Sequence, residues 1–208
     1  MNIIVFGGFA DTGSRLVSLC EACGWTCWVT SRSERAEHRS IHVDPSKGPG
    51  EVAAALLDGL SGATPDAVVN LIGAWLHDPR AVIYEGTRTI LRALELCSWR
   101  GVQYIHCSAT SVYGDRPGEV LDESSEPSPE LLIGRVHLET ETLLRECAHV
   151  REISVRLPHI YGPGRERTFE MMMRGELGVA GSGENVMQHL HVEDVVGVLV
   201  AVLERGTT

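Results

Sequence analysis

A doubly wound α/β fold on a parallel sheet is predicted by three observations. Short continuous apolar runs alternate with stretches of helical periodicity, the first run passes directly into a glycine-rich turn, and the alternation repeats along most of the chain. Ile3-Ile4-Val5-Phe6 is a run of the kind that a strand buried on both faces requires. After the glycine turn, Leu16, Val17, Leu19, Cys20 and Cys23 recur at helical spacing until Gly24 stops the helix. Strands follow at 25–30 and 40–43, then a helix over 51–60 that ends at Ser61-Gly62. A strand at 67–71 precedes a helix over 81–97, with Ile83, Thr87, Ile90, Leu91 and Leu94 on one face, and then a strand at 102–107. A polar, proline-containing loop at 115–129 leads to a helix within 130–147 and a sixth strand over 153–157. Beyond it come a Gly162-Pro163-Gly164 turn, a short helical stretch at 169–174, a glycine-rich loop at 178–183 and a helix over 192–203. Parallel sheets of this type place their ligands beyond the carboxyl ends of the strands.

The chain has 208 residues, 43% hydrophobic and 22% charged. A domain of that size buries roughly 70% of its unfolded surface and needs no disulfide or metal staple. Eighteen Lys and Arg against 28 Asp and Glu give a formal charge of -10, a field that repels phosphate backbones and anionic lipid. Neither nucleic acid nor a membrane is an expected partner. No basic segment precedes the first apolar run and the longest apolar run, 195–203, is too short to span a bilayer, so a cytoplasmic location is expected. Lys47 is the only lysine, which excludes any mechanism needing one elsewhere.

The cysteines Cys20, Cys23 and Cys27 include one C-x-x-C, but no second pair or histidine at ligand spacing accompanies it. Cys20 and Cys23 are expected to extend the apolar stripe of the first helix, with Cys27 in the next strand and no metal bound.

The turn Gly7-x-x-Ala10-x-x-Gly13 lies between a strand and a helix, where free backbone N–H groups and the helix dipole hold a pyrophosphate. Gly7, Phe9, Ala10, Asp11, Thr12 and Gly13 are therefore candidate cofactor-binding residues, against the alternative of an ordinary tight turn. At the end of the second strand, Thr30-Ser31-Arg32-Ser33 stands where an acidic residue would bind a free ribose 2′-hydroxyl. Arg32 and Ser33 suit a 2′-phosphate, so NADP is expected in preference to NAD. The alternatives are a solvated Arg32, or Arg35 or Arg39 as the phosphate partner. Asp44, after the third strand, is placed for the adenine amino group or for capping the turn at Pro45-Ser46.

The chain resembles the short-chain dehydrogenase/reductase superfamily, in its extended and atypical branch of NAD-dependent epimerase/dehydratase proteins. The resemblance is carried by 7–13, Val69-Asn70-Leu71-Ile72-Gly73, Gly86-Thr87, Cys107-Ser108-Ala109-Thr110-Ser111-Val112-Tyr113-Gly114, 156–165 and His189-Leu190-His191-Val192-Glu193-Asp194. It implies a Rossmann domain over 1–157 and a partial substrate-binding region over 158–208 packed on it as one globular unit. It further implies cofactor contacts from Leu71, Ile72, Gly73 and Pro158, and a substrate pocket reached by His159 and Arg165.

The family's chemistry uses a tyrosine and, four residues later, a lysine on one helical face. Here Ile133-Gly134-Arg135-Val136-His137 occupies that stretch, so Ile133 replaces the tyrosine and His137 the lysine. The family's serine or threonine falls on Ala109, between Ser108 and Thr110. His137, Tyr113, Ser108 and Thr110 are the candidate catalytic residues, with His137 also a candidate for a ribose hydroxyl. Relatives continue past the final helix with another strand and a small substrate region. A fragment, or an open pocket completed by a partner chain such as a second copy, is therefore expected. Three readings stand open: an NADP-dependent epimerase, dehydratase or reductase with an altered acid/base set acting on a small molecule; a dinucleotide-binding sensor or partner subunit; and a non-redox lyase, isomerase or cyclase.

Overall fold

The computed structural model describes residues 1–35, 39–73, 78–176 and 187–206. Six parallel strands form the central sheet: β1 (Asn2–Phe6), β2 (Thr26–Ser31), β3 (Ser40–His42), β4 (Ala67–Asn70), β5 (Val102–Ala109) and β6 (Val150–Leu157), in the order β3-β2-β1-β4-β5-β6. The helices are α1 (Asp11–Ala22), α2 (Pro49–Leu60), α3 (Gly86–Leu96), α4 (Leu132–Arg145), α5 (Arg167–Met173) and α6 (Val192–Arg205). The strand order reverses between β1 and β4, which opens a crevice above their carboxyl ends.

Alternation along each strand divides the core into two layers. Ile4, Phe6, Val68 and Tyr104 pack with Leu56 of α2, Ile90 and Leu94 of α3 and Leu144 of α4. On the other face Ile3, Val5, Val69 and Ile105 meet Leu16 and Cys20 of α1 and Val195, Leu199 and Leu203 of α6. Because both faces of β1 are covered, its apolar run is continuous, and Ile3, Ile4, Val5 and Phe6 are all fully buried.

Several details depart from the sequence-based expectations. The helix expected over 81–97 opens with a π-helical turn, Arg80–Glu85, before α3. The sixth strand begins at Val150, because Arg151 and Glu152 interrupt the apolar pattern while the backbone pairing with β5 continues. Two three-residue strands, β7 (His159–Tyr161) and β8 (His189–His191), pair in parallel as a separate small sheet, too short to leave a periodic signal. Cys23 caps the carboxyl end of α1 beyond its last turn and is exposed there, whereas Cys20 and Cys27 are buried. A hydrogen bond to Cys27 and burial push the Cys20 thiol far up, so it behaves as a core group. No metal-binding cluster occurs among the described residues, and no helix there is long and apolar enough to cross a membrane. The expected glycine-rich loop at 178–183 lies outside the described residues.

A buried ion pair docks α4 onto the sheet. Glu141 Oε2 receives Arg156 Nη2 at 2.7 Å, Glu141 Oε1 receives Arg156 Nε at 3.1 Å and the Ser108 hydroxyl at 2.6 Å. Arg156 Nη1 also donates to the Tyr113 hydroxyl at 2.9 Å. The pair is nearly closed to solvent on the carboxylate side, with side-chain exposures of 18% for Arg156 and 4% for Glu141. Removing one member leaves the other without its counter-charge in a low-dielectric setting. Glu141→Ala is expected to lower unfolding free energy by about 3 kcal/mol, at the low end for buried pairs because the guanidinium keeps some water. Urea unfolding with an unchanged denaturant slope is the check, and a loss below about 1 kcal/mol, the range of exposed pairs, would contradict it.

Candidate active site

The site grows from the turn after β1. Gly7 has φ +79°, a left-handed conformation that a side chain resists, and a Cβ there would sit 3.2 Å from the Leu71 carbonyl carbon. A Cβ on Gly13 would lie 2.4 Å from the Gly7 oxygen and 2.5 Å from Gly8 Cα. α1 therefore rests directly on the turn's backbone. The turn closes through Ala10 N–H to Gly7 O at 3.1 Å and Ser14 N–H to Ala10 O at 2.7 Å. Ala10 is extended and offers no side-chain cap, so the amino end of α1 keeps unpaired donors that suit an anion.

Above this turn lies a cavity of about 690 Å³. Gly7, Phe9, Ala10, Leu71, Ile72 and Gly73 line one part of it, and Ser31, Arg32, Asp44 and Ser46 the other. The Ile72 N–H is held at 3.1 Å by Asn70 Oδ1, whose amide in turn donates to Thr87 at 3.2 Å and to Tyr104 at 3.0 Å. This buried network shapes the floor beside Leu71. Sequence reasoning did not assign Val43, Ala81, Val82, Glu85, Gly86 and Thr89 to a site, yet they complete the wall. Gly86 carried a signal in the Gly86-Thr87 motif; the others were marked only by their place after β3 or in the helical segment that follows β4.

At the far end, Ser31 is a hub: its hydroxyl accepts from Ser33 N–H at 3.2 Å and from Arg35 Nε at 3.3 Å. The Arg35 guanidinium lies 4.3 Å from the Phe9 ring centroid, a cation–π contact that ties the β2 end to the glycine turn. Arg39 instead reaches Glu21 of α1 at 3.8 Å, which leaves Arg32 as the arginine that lines the cavity. Asp44 accepts from Ser46 N–H at 3.0 Å and caps the Pro45–Lys47 turn while also facing the cavity. Burial would raise the Asp44 carboxyl, but the Ser46 hydrogen bonds and the Arg32 and Lys47 charges outweigh it and hold the group below its ordinary range.

The remaining candidates lie apart from that cavity. Asp11 and Thr12 stand at the amino end of α1, where Arg165 Nη2 donates to Thr12 Oγ1 at 3.0 Å and Arg165 Nε lies 3.9 Å from Asp11. Pro158 is half-buried between β6 and β7, and His159 Nε2 meets Thr168 Oγ1 at 3.1 Å. Ser108 donates its hydroxyl hydrogen to Glu141, whereas the Tyr113 oxygen accepts from Arg156 and keeps its own O–H to donate. Thr110, in the Thr110–Tyr113 turn, makes no side-chain hydrogen bond among the described residues.

His137 is 8% exposed on α4, and its Nδ1 lies 3.2 Å from Nε2 of His106, which is 2% exposed on β5. Sequence reasoning missed His106; its one signal is a polar residue inside the run Tyr104-Ile105-His106-Cys107. Burial, and then the neighbouring His137, push the His106 imidazole down to about 3, and burial also lowers His137. An unfolded imidazole takes up its proton near 6.5, so between about pH 6.5 and 3 the unfolded chain binds more protons and stability falls as the medium is acidified. His106 is expected to cost about 2 kcal/mol of stability between pH 7 and 5. Urea titrations at both values should show a slope in the parent chain that falls by about this amount in His106→Gln, with the remainder from His137; an equal slope in both would contradict it.

The model of the NAD dependent epimerase/dehydratase family matches residues 3–208. Protein YeeZ of Escherichia coli K12 is 34% identical over 100 residues, a match that spans 48% of this chain and only 35% of YeeZ. Among solved structures, the UDP-glucose 4-epimerase of Thermus thermophilus in complex with NAD is similar at a TM-score of 0.77 and 19% identity, covering 98% of this chain and 74% of that one. Human epimerase family protein SDR39U1 with NADPH gives a TM-score of 0.77 at 22% identity, covering 98% and 70%. With the glycine turn, the strand order and a family match over nearly its whole length, this chain belongs to the NAD dependent epimerase/dehydratase family.

Proposed function

We propose that the chain binds NADP(H) in the crevice above β1 and β4 and acts on a small-molecule substrate by epimerase, dehydratase or reductase chemistry, with His137 in place of the family's tyrosine and lysine. The observation that carries this reading is the cavity of about 690 Å³ running from the glycine turn to Arg32 and Asp44. Its residues fit a dinucleotide: a cradle at Gly7 and Gly13 that any Cβ would fill, unpaired helix donors for a diphosphate, and a carboxylate for an adenine amino group. Arg32, with Ser31 and Ser33 beside it and no acidic residue at the end of β2, supports a 2′-phosphate. Relatives with either nicotinamide dinucleotide are known, NAD in the Thermus epimerase and NADPH in human SDR39U1.

When bound, the cofactor supplies a hydride donor or acceptor. The chain's own residues bind it, orient it and handle protons. Ile133 has no proton to give and the Ser108 hydroxyl is engaged by Glu141, so His137, Tyr113 and Thr110 remain for proton work. The same commitments favour a second reading, a dinucleotide-binding protein without turnover. A hydride-transfer assay on small molecules that co-purify with the chain separates the two. If the protein is an enzyme, His137→Ala should lower turnover by about 10²-fold or more in protein that circular dichroism shows to be folded; an unchanged rate would remove His137 from the chemistry.

Fluorescence titration tests the cofactor assignment. NADPH should bind more tightly than NADH, and Arg32→Ala should weaken NADPH by about tenfold or more while NADH changes less than about twofold. Equal affinities in the parent chain, or no effect of Arg32→Ala, would contradict the assignment.

A further inference from the structure

The two histidines between β5 and α4 carry information that neither carries alone. Their contact, His137 Nδ1 to His106 Nε2 at 3.2 Å, needs one proton between the two nitrogens. The other nitrogen of His106, Nδ1, is fully enclosed and has no hydrogen-bond partner. Two arrangements of neutral rings satisfy the contact. If His137 Nδ1 donates, the single proton of His106 must sit on Nδ1, an orphaned N–H sealed in the core. If His106 Nε2 donates, its Nδ1 is a bare lone pair, and the proton of His137 is on Nε2. Buried N–H groups without acceptors are rarer in folded proteins than acceptors left short of a donor, so the second arrangement is the stable one. Burial keeps both rings neutral.

The outer edge of His137 then matters. Nε2 has no hydrogen-bond partner among the described residues and is not among the fully enclosed polar atoms, so it remains open to a ligand. We infer that His106 is a positioning residue that locks His137 as the Nε2–H tautomer, so that His137 presents a neutral hydrogen-bond donor to a ligand oxygen, a hydroxyl or a carbonyl. In that state His137 begins as a donor or general acid and not as a base. The site is thereby matched to acceptor oxygens. A lysine at this place would do the same with a full positive charge, whereas His137 does it without charge. The inference rests on the proposed placing of His137 beside a bound ligand only for its consequence; the tautomer is a property of the chain alone.

Nitrogen-15 NMR of histidine-labelled protein reads the tautomer directly, with the His137 signals assigned as those missing from His137→Gln. The parent chain should show a bare Nδ1 and a protonated Nε2 on His137. His106→Phe, which removes the donor and keeps an apolar ring, should release His137 into a mixture of tautomers and weaken NADPH about fivefold, the worth of one hydrogen bond. His106→Gln, whose amide can again donate, should restore the Nε2–H form and bring the affinity back to within about twofold of the parent. A His137 protonated on Nδ1 in the parent chain, or a tautomer unchanged in His106→Phe, overturns the inference whether or not NADPH binds. Absence of NADPH binding with the expected tautomer shift overturns the cofactor assignment and leaves the dyad standing.

Discussion

The molecule depends on the contact between the first helix and the turn that precedes it. With no side chain at Gly13, α1 comes down onto the backbone of Gly7 and Gly8, and its amino end points to the place where the strand order reverses. Everything that gives the crevice its shape follows from that approach. Leu71 can pass close over Gly7, Asn70 can hold Ile72 from below, and the Phe9 ring is left at the rim for Arg35 to stack upon. A larger residue at Gly13 would push the helix outward and separate the unpaired N–H groups from the cavity, whereas one at Gly7 would press on Leu71.

The architecture was largely legible from the residues because burial on both faces forces a simple pattern. Ile3-Ile4-Val5-Phe6 and Ala67-Val68-Val69 have no polar alternation to confuse strand with surface, and Leu16 and Cys20 mark the buried side of α1. The legible part ends where short segments or tertiary pairing decide. β7 and β8 have three residues each and are held together by a partner distant in sequence. The extension of β6 to Val150 is set by pairing with Val102 and not by its own charged residues.

For the site, local motifs indicated the glycine turn, Arg32 and Asp44, because each lies at the end of a strand that can be read from its own composition. What local motifs do not carry is commitment. Ser108 reads as a candidate proton carrier, yet its hydroxyl donates to Glu141 of a different element, and the Tyr113 oxygen accepts from Arg156 of another. His106 was silent for the same reason: its meaning comes from a ring on α4. Under α4, Ser108, Glu141, Arg156 and Tyr113 thus form one connected polar network beside the His106–His137 pair.

The covering of the sheet by α6 has a kinetic consequence. Val195, Leu199 and Leu203 share with Leu16 and Cys20 of α1 the face that bears Ile3 and Val69, so the cover of this face is completed only when a helix distant in sequence arrives. Contacts of such long range are slow to form, since loop closure precedes any gain from them. During synthesis on a ribosome, α1 can cover part of this face early, and the remainder stays open until residues near 200 have emerged.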